Sequence, residues 1–335
     1  METELVPREG YEIRTVRITN LQRKLSLGGI LHNFKTVKNL ALSMGAAGRI
    51  LKEFRPHAAV GTGGYVCYPV LRQAARMGIP TLLHESNAVP GLTTKLLASK
   101  VDRLMLGFSG GQGAYKRPDK VIYTGTPVRG AFLHTGSAAA RAVLGISRDE
   151  PLVVSFWGSL GARHMNAAME DFFPLAYRGR RFLHIHATGG GEAGLSAMGD
   201  ALKGKGIDDP AAGGLDIRSF IYDMPTVLAA ADLVLCRAGA STLAELTALG
   251  KPAVLVPSPY VTGNHQEENA KALEQGGGAL MLRERDCTGQ TLYNTVSELL
   301  AKPERLSEMS TAMKAMGNPK ATETITEIVL DVMKK

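Results

Sequence analysis

Short apolar runs alternate with stretches of helical spacing along almost the whole chain. Ten runs have the length of buried strands: Ala58–Val60, Thr81–Leu83, Arg103–Leu106, Val121–Tyr123, Leu152–Phe156, Phe182–His186, Ile217–Phe220, Leu233–Leu235, Ala253–Val256 and Ala279–Leu282. Between most of them, apolar residues recur every three or four positions, as on one face of a helix. Strands alternating with helices predict parallel sheets covered by helices on both faces. The series divides near Arg129–Thr135, which predicts two doubly wound α/β domains, residues 1–129 and 130–317. Upstream, Tyr11–Ile18 reads as a modest strand, and the opening Met1–Pro7 as a helix end and loop.

In such sheets, ligands lie beyond the carboxyl ends of the strands. Those ends are rich in Gly and polar residues here: 61–65 (GTGGY), 84–87 (HESN), 125–129 (GTPVR), 158–162 (GSLGA), 188–191 (TGGG) and 237–242 (RAGAST). Together they point to a phosphate-bearing ligand in a cleft between two sheets. The most informative stretch is Cys236–Leu246. A strand ends, a Gly turn follows, and a helix begins at about Ala240, with Leu243, Leu246 and Leu249 on its apolar face and Gly250 and Pro252 ending it. The free N–H groups of a first helical turn suit a diphosphate, and Ser241 and Thr242 add hydroxyls. Glu245, one turn in, can accept two hydrogen bonds from a ribose diol; the same pattern also fits a capped helix with a surface Glu.

The turn Gly158–Ala162 lets backbone approach a phosphate, or is simply a tight strand-to-helix connection. On a helix, His265 and Asn269 stand one turn apart with Gln266 beside them, and such neutral groups suit sugar hydroxyls as well as a polar helix start. His84 and Glu85 form a titratable pair at a strand end, and Arg129 at the domain junction could neutralise a phosphate.

Composition narrows this picture only a little. The 335 residues, 44% hydrophobic and 21% charged, suit two globular domains. Three distant cysteines, Cys67, Cys236 and Cys287, follow no zinc spacing and fit a reducing compartment. The net charge of +8 favours phosphates, nucleic acid or an anionic membrane without choosing among them. No apolar run reaches the ~18 residues needed to span a bilayer, and Met1–Gly10 carries no apolar signal segment. No Asp-x-Asp pair stands at a strand end, and Asp208-Asp209 falls in a loop. Departure of a diphosphate without a metal is therefore expected, with no cofactor.

The ordered set VGTGGYVCYP, LLHESNAVPGLTTKLLA, TGTPVR, GSLGARHMN, FIYDM, CRAGASTLAELTALGKPAVLVP and NHQEENA resembles the MurG family of bacterial lipid II-forming N-acetylglucosaminyltransferases, within glycosyltransferase family 28. The resemblance runs from about Met1 to the end. It implies two Rossmann-like domains facing a cleft (the GT-B fold), with a helix at about 318–335 packing back on the first domain. It implies an inverting transfer of N-acetylglucosamine from UDP-N-acetylglucosamine to undecaprenyl-diphospho-muramoyl-pentapeptide, at the cytoplasmic face of the membrane, with the protein bound peripherally to an anionic surface and no nucleic acid involved. Ile221 would hold the uracil through its backbone and Glu245 the ribose. Ala240, Ser241, Thr242 and Leu243 would meet the diphosphate, with Ser159 and Arg129 adding contacts. Gln266, His265 and Asn269 would read the sugar, and Asn87 would lie on the acceptor side beside His84.

Several positions depart from the family pattern. The Gly-rich GGTGGH loop, whose His is a favoured base, does not occur, so the opening β-α part of the first domain is expected to be missing and transfer to be slow. His84 and Glu85 are then the remaining candidates for general base. Trp157 stands where Gly is usual, Leu160 where Gln is usual, and Thr126 in place of Asn. Leu25, Leu27, Ile30 and Leu31, with Arg23, Lys24, Lys35 and Lys38, could rest on an anionic leaflet or face the core. Other functions compatible with these residues are a different lipid glycosyltransferase of the same fold, such as one acting on diacylglycerol, and a non-catalytic nucleotide-sugar binder.

Overall fold

The computed structural model describes residues 2–16, 18 and 27–334, and side chains of the 27–38 stretch lie outside the description. The basic-apolar segment from Arg23 to Lys38 therefore falls outside it, apart from the backbone of a helix that runs Leu27–Phe54. The chain forms two compact units. One comprises 1–86, 90–124 and 323–335; the other comprises 87–89 and 125–322.

The first unit holds a four-stranded parallel sheet in the order β1 (Ala59–Gly61), β2 (Thr81–Glu85), β3 (Arg103–Leu106) and β4 (Val121–Tyr123). All five residues of β2 are buried, as expected for a central strand covered on both faces. One side packs Leu83, Leu104 and Leu106 against Leu71 and Leu97. On the other, Leu82 and Met105 meet Ile325, Ile328, Val329 and Val332, spaced by three and four along the helix Ala321–Met333. Thr124 still donates its N–H to Leu106 O (3.0 Å), so sheet bonding carries the first unit to residue 124 and leaves Arg129 inside the second.

The second unit holds six parallel strands: β5 (Leu152–Phe156), β6 (Leu183–Ala187), β7 (Leu215–Arg218), β8 (Leu233–Cys236), β9 (Ala253–Leu255) and β10 (Ala279–Met281). Their order is β10-β9-β8-β5-β6-β7. From β5 the chain winds outward to β7, returns to place β8 on the other side of β5, and continues outward to β10. The reversal lies between β5 and β8, where the crossover helices leave to opposite faces and open a crevice at the carboxyl ends. Phe172 and Phe173, on the Arg163–Gly179 helix, fill the core on one face.

All ten strands expected from the apolar runs are present, with ends shifted by no more than two residues. The largest shift is at β7, which spans Leu215–Arg218 and not Ile217–Phe220. As an edge strand it buries only Leu215, with Asp216 exposed and Ile217 and Arg218 partly exposed, so no continuous apolar run marks its bounds. Residues 11–16 form no strand; the sheet-like alternation there has no partner to pair with among the described residues. Glu2–Arg8 is a short helix and not a loop.

Candidate active site

The crevice between β5 and β8 receives two Gly-containing turns. After β8, Arg237-Ala238-Gly239 leads into the helix Ala240–Leu249, whose N-cap, Gly239, offers no side chain. Leu243 N–H is the first amide with an intrahelical acceptor, Gly239 O at 3.0 Å. The amides of Ala240, Ser241 and Thr242 precede it and point out of the helix end, carrying the positive end of the dipole. After β5, Gly158-Ser159-Leu160-Gly161 closes a tight turn through Gly161 N–H to Gly158 O (3.0 Å), and Ser159 is exposed.

Glu245 lies one turn into the helix and is partly buried. Burial lifts its carboxyl above the ordinary 4.5, and the cation of Arg129 pulls it part of the way back. Arg129 sits at the N-cap of the short helix Gly130–His134, which packs on the Ala240 helix, and its guanidinium lies 5.2 Å from the Phe132 ring centre. The loop after β7 places Ile221 with 2% exposure between exposed Phe220 and Tyr222. Ser219 O and Asp223 O both accept backbone bonds, whereas Phe220, Ile221 and Tyr222 make no loop backbone hydrogen bond among the described residues. That leaves the Ile221 peptide groups open to a flat hydrogen-bonding edge such as a nucleobase.

After β9, Gln266 accepts Ser258 N–H on Oε1 (2.8 Å), which pins the 257–264 loop and fixes the amide so that its N–H₂ can serve as donor. Beneath the turns lies a polar group with no assigned role in the sequence reading. Arg237 Nη1 stands 2.7 Å from Glu284 Oε2, an ion pair only 11% and 6% exposed but misaligned for a hydrogen bond. Arg237 also donates to Val256 O (3.1 Å), and its guanidinium lies 6.0 Å from the Trp157 ring. The group ties the ends of β8 and β9 to the turn after β10, beside Trp157.

The profile of the glycosyltransferase family 28 C-terminal domain matches residues 152–325, and that of the family 28 N-terminal domain matches residues 1–106. This chain belongs to glycosyltransferase family 28. It is 42% identical over 334 residues to the UDP-N-acetylglucosamine–N-acetylmuramyl-(pentapeptide) pyrophosphoryl-undecaprenol N-acetylglucosamine transferase of Acetivibrio thermocellus, covering 100% of this chain and 88% of the relative. The same-named transferase of Listeria welshimeri is 38% identical over 100% of this chain and 89% of its own length. Among solved structures, Acinetobacter baumannii MurG superimposes with a TM-score of 0.75 at 26% identity, covering 99% of this chain and 88% of that one. Two parallel α/β units, as in GT-B enzymes, are thus the family 28 architecture.

Within that family 28 framework the sequence-derived residues separate into three groups. Ser159, Ile221, Ala240, Ser241, Thr242, Glu245, His265 and Gln266 stand at or just beyond the carboxyl ends of β5, β7, β8 and β9, and Arg129 reaches Glu245 from the side. Leu243 differs: its side chain is 1% exposed and its amide is bonded to Gly239, so it anchors the helix and offers a diphosphate nothing. Asn269 differs as well. It is fully buried; Oδ1 accepts Ala88 N–H (2.8 Å), while Nδ2 donates to Asn87 Oδ1 (3.1 Å) and Ala238 O (3.1 Å). It braces the 87–89 segment against the turn that starts the Ala240 helix, and both its amide protons are committed to protein.

His84 and Glu85 belong to the first unit and are each 4% exposed. Glu85 Oε2 accepts Gly91 N–H (3.0 Å) and the Thr94 hydroxyl (2.5 Å), and His84 Nδ1 lies 3.2 Å from Ser86 Oγ. This geometry braces the 86–91 loop. Asp209 accepts Ala211 N–H (3.1 Å) and caps a short turn.

Asn269→Ala removes a brace inside a dry site, leaving Ala238 O buried without it. The expected cost is about 3 kcal/mol of stability, read by urea unfolding. A loss below about 0.5 kcal/mol, the range of surface substitutions, would show that the brace is idle.

Proposed function

We propose that this chain transfers N-acetylglucosamine from UDP-N-acetylglucosamine to undecaprenyl-diphospho-muramoyl-pentapeptide, with inversion at the anomeric carbon. The observation that carries the donor assignment is the uncapped start of the Ala240–Leu249 helix at the topological reversal of the second sheet, with the Glu245 carboxylate one turn in. The names of the relatives at 38–42% identity supply the sugar and the acceptor.

In this reading the amides of Ala240, Ser241 and Thr242 meet the diphosphate, Ser159 adds a hydroxyl, and Glu245 accepts the ribose O–H groups. Ile221 offers N–H and C=O to the uracil edge, and Gln266 donates to sugar hydroxyls from its pinned amide. A general base takes the proton of the acceptor hydroxyl, whose oxygen attacks the anomeric carbon as the bond to UDP breaks. Negative charge then grows on the departing diphosphate, where fixed helix-end amides stabilise it with no reorganisation; a single such donor is worth roughly 3 kcal/mol in comparable sites. The acceptor bears its own diphosphate and a lipid tail, so the reaction takes place at a membrane surface. The test is UDP release from UDP-N-acetylglucosamine in the presence of a short-chain analogue of the lipid acceptor; release that occurs equally with diacylglycerol as acceptor, or with none, overturns the assignment.

Charge segregation supports peripheral docking on the cytoplasmic leaflet. Residues of the first unit carry 20 Lys and Arg against 11 Asp and Glu, whereas the second unit carries 19 against 20. The whole basic surplus belongs to the unit opposite in role to the donor site. Among the described residues no helix is long and apolar enough to cross a membrane. The chain is expected to sediment with vesicles containing anionic lipid and to be released as salt rises to about 0.5 M, where screening shortens to a few ångströms. Equal binding to purely zwitterionic vesicles, unmoved by salt, would remove the electrostatic account.

A further inference from the structure

The turn after β6, Thr188-Gly189-Gly190-Gly191, touches none of the residues assigned to the ligand by their side chains, yet its backbone is wedged between two of the segments that hold it. Gly190 N–H donates to Ser159 O (3.2 Å), in the phosphate turn after β5. Gly189 N–H donates to Ser219 O (3.1 Å), two residues before Ile221 in the uracil loop after β7. Thr188 O accepts the Asn166 amide (2.9 Å), and Thr188 N–H donates to Arg218 O (2.9 Å).

The fit is backbone on backbone. A Cβ at Gly189 would stand 2.2 Å from Gly161 N, 2.5 Å from Gly161 Cα and 2.8 Å from Gly158 O. From the other side, a Cβ at Gly161 would stand 2.4 Å from Thr188 O. Such distances leave room for hydrogen only, so the two turns can interlock this closely only with glycine on both sides.

We infer that Gly189 and Gly161 are positioning residues for the donor: their interlocked turns set the spacing between the phosphate turn at Ser159 and the uracil loop at Ile221. The inference rests on the donor-site reading given above. It makes the β6 turn a spacer matched to the length of a nucleoside diphosphate. Uridine alone, which lacks the diphosphate, uses only the base loop and Glu245 and should not sense the spacing.

Neighbouring glycines provide the control. Gly191 has nearly the same left-handed backbone as Gly189 (φ +66 and +67), but a Cβ there would meet nothing within 4 Å. Gly189→Ala and Gly191→Ala therefore carry the same backbone strain, and only the first displaces the Ser159 turn. UDP and uridine affinities are measured by calorimetry on each folded variant, well below its melting temperature. The expected result is UDP binding weakened by about tenfold or more (about 1.4 kcal/mol or more) in Gly189→Ala, with uridine affinity unchanged and Gly191→Ala like the parent. Should Gly189→Ala fail to fold, Asn166→Ala loosens the same interlock by removing the bond to Thr188 O, and is expected to weaken UDP but not uridine. Equal loss of UDP and uridine, or no loss of UDP, overturns the spacer. Glu245→Ala serves as the separate control: if it leaves UDP binding intact, the donor site itself is misassigned, whereas a weakened Glu245→Ala beside an unaffected Gly189→Ala removes the spacer alone.

Discussion

Glu245→Ala is expected to weaken UDP binding roughly 100-fold, about 2.7 kcal/mol, because hydrogen bonds to a charged acceptor contribute roughly 1.5–3 kcal/mol each. The side chain is partly buried at the helix start, so water replaces the lost carboxylate poorly. Glu245→Gln keeps one acceptor oxygen and loses the charge, and should fall between, at about tenfold. The same carboxylate predicts a pH dependence. Burial raises its pKa above 4.5, and only the ionised form accepts both ribose O–H groups. UDP affinity should therefore decline as pH falls through that raised value, earlier than an exposed Glu would dictate. Arg129→Ala removes the cation that lowers it and should move the decline to higher pH. The sole tryptophan, Trp157, stands beside the phosphate turn and offers a fluorescence readout for these titrations. Unchanged UDP affinity in Glu245→Ala would refute the donor site as drawn.

Mild acid is expected to destabilise the second unit through a fully buried pair of histidines. Ser155 Oγ lies 2.7 Å from both His184 Nε2 and His186 Nδ1, and both rings are completely buried among Phe172, Phe173 and Phe182. His184 Nδ1 and His186 Nε2 have no partner, so a charged ring would have nothing to balance it. Burial holds His184 well below the ordinary 6.5, and takes His186 down to about 3. The unfolded rings take up protons once pH drops below 6.5, while the folded ones stay neutral. The unfolded state then binds more protons, and stability falls with falling pH from 6.5 downward, by up to about 1.4 kcal/mol per pH unit for each histidine. Above 6.5 the cluster contributes no slope. Carboxylates held low, such as Glu267 at about 2 through Asn264, Arg283 and Lys271, act in a separate window, losing their contribution below 4.5. Urea unfolding at pH 7, 6 and 5 isolates the histidines, and His186→Gln should roughly halve the slope. Stability that is flat between pH 6.5 and 5 would show that the rings already carry protons in the folded state.

Much of the fold could be read from the chain because parallel strands buried on both faces leave uninterrupted apolar runs. Leu152–Phe156 and Arg103–Leu106 match the observed strands to the residue, and the helix start at Ala240 follows from one glycine and its apolar spacing. Edge strands break that rule, which is why β7 was displaced by two residues. The placement of the candidate residues was legible where they follow a strand end or open a helix, as at Ser159, Ala240–Thr242 and Glu245. It was not legible where helical phase cannot say whether a polar residue faces ligand or protein. Gln266 and Asn269 occupy the same helix start, yet one remains partly exposed and the other disappears into a brace joining residues 181 and 31 positions away. The His-x-His pattern at 184–186 puts both rings on one face of β6, but only the register that sets Ser155 opposite His186 reveals why they are tolerated in a core.

The helix Ala321–Met333 has a consequence for how the protein is made. Strands β1 to β4 leave the ribosome early, yet the side of their sheet bearing Leu82 and Met105 is closed by Ile325, Ile328, Val329 and Val332. Nearly all of the second unit, from Gly125 to Thr322, is synthesised in between. The half that emerges first must therefore wait with bare apolar surface, and the half that emerges second can finish folding before it.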